Sequence, residues 1–283
     1  MSSLCIKTNN EHIIDYLQNE FCNFNMLNVF FSCNEFKLYK NIIIHYKGID
    51  TELFYSKIAT ILSYLVIDEF EDKIIKNILL SNYFYFDSSE FSEILKICDN
   101  NLSSPDFSFI NRQMKIFDAF YDYISTNHSI VLSGFINFRL FNYKSLLENL
   151  VDLSVNEFIV EREYFEFISL VNLYVNSQSA KFGLIHIICY GNNILLLDEN
   201  LDIIEINRSS LNAKYLSDIT FSDNDYVLNT LLSLLPSKIY LHVASASNLD
   251  FIDTLKLIFE NRITICTDCS ICNLYKNLNI EKK

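Results

Sequence analysis

Glycine and proline are almost missing from this chain. Its 283 residues include 4 Gly and 2 Pro. Left-handed backbone is cheapest at Gly, and Pro presets many tight turns. Sandwiches, propellers and other folds of many short strands need such residues at every connection, so they are disfavoured. Long elements joined by few turns are what this chain can build. Half of its residues are hydrophobic, with 24 Phe and 17 Tyr, so it can bury a sizeable core and is not globally disordered.

Periodicity divides the chain into three regions and predicts an α+β protein. Residues 1–49 read as a small β-α-β-β lobe of ferredoxin-like character. A strand at 3–8 is followed by a helix capped by Asn10, with Ile13, Ile14, Leu17 and Phe21 on one face. Apolar runs at Leu27–Cys33 and Phe36–Tyr46 supply two more strands, the second broken near Asn41 and ended by Gly48. Residues 50–178 read as helical throughout. Helices are expected behind Asp50 and behind Ser88 or Ser89, with a break at Gly134 and a long helix over Tyr143–Val175.

Residues 179–283 change to the alternation of strands. Leu184–Tyr190, Ile194–Asp198 and Ile203–Ile206 are separated by Gly191-Asn192-Asn193 and by Glu199–Asp202. A helix capped by Asp223 or Asn224 is stopped by Pro236. Then follow a strand at Lys238–Val243, a helix capped by Asn248 or Asp250, and a strand at Arg262–Cys266. The order β-β-β-α-β-α-β is that of RNase H-like folds, and it predicts that the first, fourth and fifth strands lie parallel and adjacent.

Charge and motifs exclude several activities. With 22 basic against 35 acidic residues the net charge is −13, and arginine is confined to Arg112, Arg139, Arg162, Arg208 and Arg262. Such a chain is poorly suited to phosphate backbones, so no nucleic-acid partner is expected. An RNase H-like nuclease needs a carboxylate on its first strand, and Leu184–Tyr190 has none. Gly-x-Ser-x-Gly, phosphate-cradling Gly-rich loops and His-Glu-x-x-His are absent. Glu157, Glu161, Glu163 and Glu166 read as a solvated helix face beside Arg162. The apolar stretch Ile58–Ile67 is half of what a membrane span requires. The start of the chain lacks the basic and apolar regions of a signal peptide, so the expected location is the cytoplasm, with reduced thiols.

The 8 cysteines carry the main chemical lead. Cys266, Cys269 and Cys272 form C-x-x-C-x-x-C, and two-residue gaps let soft thiolates converge on one ion. Three thiolates leave one position for a further ligand. If the strands at 184–190, 238–243 and 262–266 are parallel, Cys189 and His242 lie at the same sheet edge as Cys266, and either could supply it. Zinc and an iron–sulfur cluster both suit such thiols. Redox-active thiols, or incidental ones, are the alternatives.

Several segments together carry a resemblance. They are Gly134–Leu140, Glu157–Ile168, His186-Ile187-Ile188, Leu197–Asn200, and the closing run Ile258–Cys272. The chain resembles the YtxC family of sporulation proteins from endospore-forming Firmicutes, over about its last 150 residues and more loosely toward its start. The resemblance implies a process, spore formation, and no particular reaction. The resulting expectation is a non-enzymatic interaction or sensing factor with a protein partner. The alternative is a metal- or cluster-dependent enzyme using Cys266, Cys269 and Cys272.

Overall fold

The computed structural model describes residues 2–24, 26–35, 39–190, 193–206, 222–243 and 249–278. The chain forms two compact units, Met1–Val160 and Glu161–Lys283.

The first unit holds β1 (Ser2–Thr8), α1 (Glu11–Cys22), β2 (Val29–Glu35), β3 (Lys40–Tyr46), α2 (Thr51–Asn82), α3 (Ser88–Asn101), α4 (Phe109–Ile124), β4 (Ser129–Val131), α5 (Leu132–Arg139) and the start of α6 (Phe141–Ser177). The sheet order is β2-β3-β1-β4. β3 lies antiparallel between β1 and β2, which is the split β-α-β arrangement. β4 pairs parallel to β1. A ferredoxin-like repeat would run its last strand parallel to β3 and so antiparallel to β1, so the lobe departs from that fold.

Period-2 burial of Leu4 and Ile6 on β1, and of Ile42 and Ile44 on β3, gives the sheet its inner face. Leu17, Ile58, Leu62, Leu65, Phe120 and Leu147 belong to the same core and are likewise fully buried. β3 runs unbroken through Asn41, which pairs with Lys7 and Asn34; residues 36–38 of the expected run lie outside the described residues. β4 interrupts a region expected to be all helical. Three residues are too few to show an alternation, and they become a strand because β1 offers a free edge. Gly134 breaks nothing. It lies inside α5, and a Cβ there would meet only Val131 Cγ1, at 4.0 Å.

The scarcity of glycine shows in the turns. Backbone with positive φ falls on Asn28, Leu201 and Leu235. Leu235 caps the helix before Pro236 at φ 45°, with its side chain fully buried. Burial of that side chain offsets a left-handed strain of about 1–2 kcal/mol. Gly48 is needed for another reason: a Cβ would come within 2.1 Å of the Tyr46 hydroxyl, whose ring stacks on Phe54. Two caps fall one residue before their expected places. Asp87 closes a capping box with Glu90 at the start of α3, and Ser222 closes one with Asp225.

The second unit holds the end of α6, β5 (Phe182–Tyr190), β6 (Asn193–Leu197), α7 (Asp223–Leu234), β7 (Pro236–Val243), α8 (Leu249–Phe259), β8 (Ile263–Cys266) and α9 (Ser270–Leu278). The sheet order is β6-β5-β7-β8. β5, β7 and β8 are parallel neighbours, and β6 is antiparallel to β5.

The full RNase H-like order does not form among the described residues. Ile203–Ile206 makes one isolated bridge, Leu197 to Ile203, and one further bond from Ile204 N to Leu196 O. The Asp198 carboxylate accepts from Asn200 N and Asp202 N, both at 2.9 Å, so this side chain is spent on the turn. The turn is made, but the return strand is not sustained. Gly191 and Asn192 of the other turn, and the proposed cap Asn248, lie outside the described residues.

One face of this sheet carries Ile185, Ile187, Cys189, Ile239 and Leu241, packed in one core with Ile168, Val175, Leu231, Ile252 and Leu255. Arg262 fastens the layers by donating to Val175 O at 2.7 Å, Gln178 O at 3.0 Å and Pro236 O at 3.1 Å. Among the described residues no helix is long and apolar enough to cross a membrane.

Candidate metal centre

Strand parity decides which side chains meet. In β5, Ile185, Ile187 and Cys189 face the core, so His186 and Ile188 point to the other face. Register sets His186 beside Tyr240 and Ile188 beside His242. It also sets His242 beside Cys266, the last residue of β8. His186, Tyr240 and His242 therefore share the face opposite the core. The His186 ring stacks on His242 at 5.2 Å and on Tyr240 at 5.5 Å.

After Cys266 the chain turns through residues 267–269 into α9, a helix that the sequence reading does not place. Cys269 stands at its N-cap. Cys272 N donates to Cys269 Sγ at 3.4 Å, and Asn273 N donates to Cys269 O at 2.9 Å. A sulfur here replaces the usual cap oxygen. Lys276 Nζ reaches back to Thr267 O at 2.7 Å, closing the loop between β8 and α9. One helical turn separates Cys269 from Cys272, so both sulfurs point the same way, toward the strand ends.

The result is one compact group: His242, Cys266, Cys269 and Cys272, with all four ligand atoms within 4.8 Å of one another. Cys269 Sγ lies 3.6 Å from Cys272 Sγ, and Cys272 Sγ lies 3.9 Å from Cys266 Sγ. His242 Nδ1 is 3.3 Å from Cys269 Sγ and 3.5 Å from Cys272 Sγ. A tetrahedral zinc ion with bonds of about 2.3 Å to sulfur and about 2.0–2.1 Å to nitrogen sets sulfur–sulfur edges of about 3.8 Å and sulfur–nitrogen edges of about 3.6 Å. The donor set suits a single ion, and these four distances lie close to the edges of its tetrahedron.

Electrostatics favour the same use. Burial and the neighbouring His186 both hold the His242 ring below the ordinary imidazole range, and burial does the same to His186 against the pull of Asp198. Both rings are then neutral at pH 7, and neutral imidazole is the form that ligates. Cys272 goes the other way, its thiol pushed by burial up to about 11, away from the thiolate form. At Cys269 burial also acts upward. Hydrogen bonds from Cys272 N, from the Cys266 and Cys272 thiols and from Ile271 N outweigh it, so this thiol sits below its ordinary value. A helix N-terminus is a usual setting for a stabilised thiolate.

Cys189 does not join the group. It is fully buried on the core face, and burial alone pushes its thiol up to about 11. Of the two fourth ligands considered, the fold brings His242 to the thiols. His186 was not singled out from spacing. The signal was present in the alternation of β5, but reading it required knowing which strand lay next to which.

A family model described as the YtxC-like family matches residues 56–264. That span takes in His186 and His242 and ends just before Cys266. A curated relative from Bacillus subtilis (strain 168), "Uncharacterized protein YtxC", is 20% identical over 200 residues, covering 68% of this chain and 70% of the relative. No solved structure matches. Because the family model accounts for well over half of the chain, the chain belongs to the YtxC-like family.

Proposed function

We propose that this protein is a zinc-holding, non-enzymatic cytosolic factor acting in spore formation, and that its metal fastens α9 to the ends of β7 and β8. The observation that carries the metal reading is the spacing of His242, Cys266, Cys269 and Cys272 at single-ion distances. Three features support a fastening role over a catalytic one. Four protein donors complete a tetrahedron, whereas catalytic zinc sites keep one position open. The ligands come from two strands and a helix, so an ion would tie three elements together. Cys272 is fully buried, which suits a closed site.

The same spacing weighs against an iron–sulfur cluster. In a cluster of several irons the thiolates bind different iron atoms, so their sulfurs spread wider than the edges of one coordination tetrahedron. The role in spore formation rests on the family resemblance.

Elemental analysis of the full chain, purified without added metal or oxygen, tests the metal reading. One zinc per chain in a colourless protein is expected. Iron with visible absorption, or no metal at all, would overturn it. Deleting the gene should lower spore yield and leave vegetative growth unchanged, and a normal spore yield would refute the role in spore formation.

A further inference from the structure

Taking the zinc reading as given, we infer that His186 is the positioning residue of this centre. It accepts a hydrogen bond from His242 Nε2–H, and so fixes His242 in the tautomer and orientation that aim Nδ1 at the ion.

The geometry is specific. His242 has one ring nitrogen on each side of the problem: Nδ1 lies 3.3 and 3.5 Å from Cys269 and Cys272, and Nε2 lies 2.9 Å from His186 Nδ1. A ring nitrogen that binds a metal must present its lone pair, so a neutral His242 must carry its proton on Nε2. That proton points at His186 Nδ1, which must then be the acceptor. His186 in turn carries its own proton on Nε2, the nitrogen it does not offer to His242. The proton positions of both rings are thus set once Nδ1 of His242 is a ligand. Metal-binding imidazoles usually donate their second N–H to a carboxylate, a carbonyl or water. Here a second imidazole takes that place.

The support is rigid. His186 sits in the middle of β5, its ring stacked with Tyr240 and His242 at interplanar angles of 24° and 20°. Tyr240 itself lies under Lys238 Nζ, 4.7 Å from the ring centroid. The acceptor is therefore held by the sheet itself and not by a loop, as a precise site requires.

The test uses the full-length protein and zinc alone. Zinc affinity is measured by competition against a chromophoric chelator for the wild type, His186→Phe and His186→Gln. Phe keeps a flat ring for the stack and removes the acceptor. Gln keeps an acceptor oxygen. Loss of such a partner costs about 10- to 100-fold in affinity, so His186→Phe should fall by that factor and His186→Gln by clearly less. Long-range proton–nitrogen NMR of the zinc-loaded wild type should find His242 protonated at Nε2 and metal-bound at Nδ1, which needs no variant to fold. Equal affinity in His186→Phe and wild type overturns the inference, as does equal loss in Phe and Gln, or coordination through Nε2. A wild type that binds no zinc overturns the zinc reading instead, so the two failures are distinguishable.

Discussion

Stripping zinc from the loaded protein is expected to release α9 while the Met1–Val160 unit stays folded. The reason lies in how little else holds this helix. It has 9 residues, and isolated helices below about 12–15 residues are marginal in water. Leu274, on its surface, is 59% exposed, and Cys272 is its one fully buried side chain among those described. The contacts that remain without metal include the Tyr275 ring against Tyr190 at 5.3 Å, Lys276 on Thr267 O, and Asn273 Nδ2 on Asp268 Oδ1 at 3.3 Å. Each is a surface interaction of modest value.

Ion binding adds a term of a different size. At free zinc about a thousandfold above the dissociation constant, it stabilises the bound state by about 4 kcal/mol. Hydrogen exchange read residue by residue checks the expectation. After chelation, amides of Ile271 to Lys276 should exchange orders of magnitude faster, those of β7 near His242 moderately faster, and those of α2 unchanged. Equal protection of α9 with and without zinc would show that packing alone holds it. Acid should act like the chelator, because thiolates must shed their protons to bind and regain them as pH falls.

What the sequence disclosed follows from which interactions are local. The α1 stripe of Ile13, Ile14, Leu17 and Phe21 is legible because helix burial repeats within one element, and all four are buried. The parallel alignment of β5, β7 and β8 was legible for a related reason: helices between strands force crossovers, and crossovers force parallel neighbours. The two-residue gaps of Cys266, Cys269 and Cys272 were informative because convergence on one ion is also a local property.

Non-local properties were hidden. β4 exists because β1 has an open edge 124 residues away in sequence, at Cys5 to Lys7 opposite Ser129 to Val131. Whether Ile203–Ile206 pairs as a strand depends on competition along Leu195–Leu197, which alternation cannot weigh. α9 was concealed by its composition, since Asn273 and Lys276 make the segment read as loop. The choice between Cys189 and His242 turned on pleat parity across three strands. One residue of offset puts a side chain on the opposite face, so proximity to the correct edge was not enough.

The second large effect is expected in the core of the first unit. There Arg112 Nε lies 3.2 Å from Glu71 Oε2, with the two side chains only 8% and 7% exposed. Tyr143, fully buried, donates its hydroxyl to the same Glu71 oxygen at 2.7 Å. Burial raises the Glu71 carboxyl above the ordinary range, while the Tyr143 hydroxyl and Arg112 pull it back down. Replacing Arg112 with Met leaves that carboxylate buried with no cation. Breaking a buried pair from one side costs about 3–5 kcal/mol, and the loss should appear as faster hydrogen exchange through α2 and α4.

The loss should also depend on pH. A carboxyl whose folded pKa lies above its unfolded value binds its proton more tightly in the native state, so stability falls as pH rises through the interval between the two. Without Arg112 that interval widens upward, and the Arg112→Met deficit should be largest near neutral pH and shrink in mild acid. Removing both charges, as Glu71→Leu with Arg112→Met, should restore most of the stability, because apolar replacements of a buried pair are often neutral or better. The remaining cost, about 1–3 kcal/mol, belongs to the Tyr143 hydroxyl left without its acceptor, and Tyr143→Phe in the same background should reduce it. A double variant as unstable as Arg112→Met alone would mean that shape, and not the unpaired carboxylate, sets the penalty.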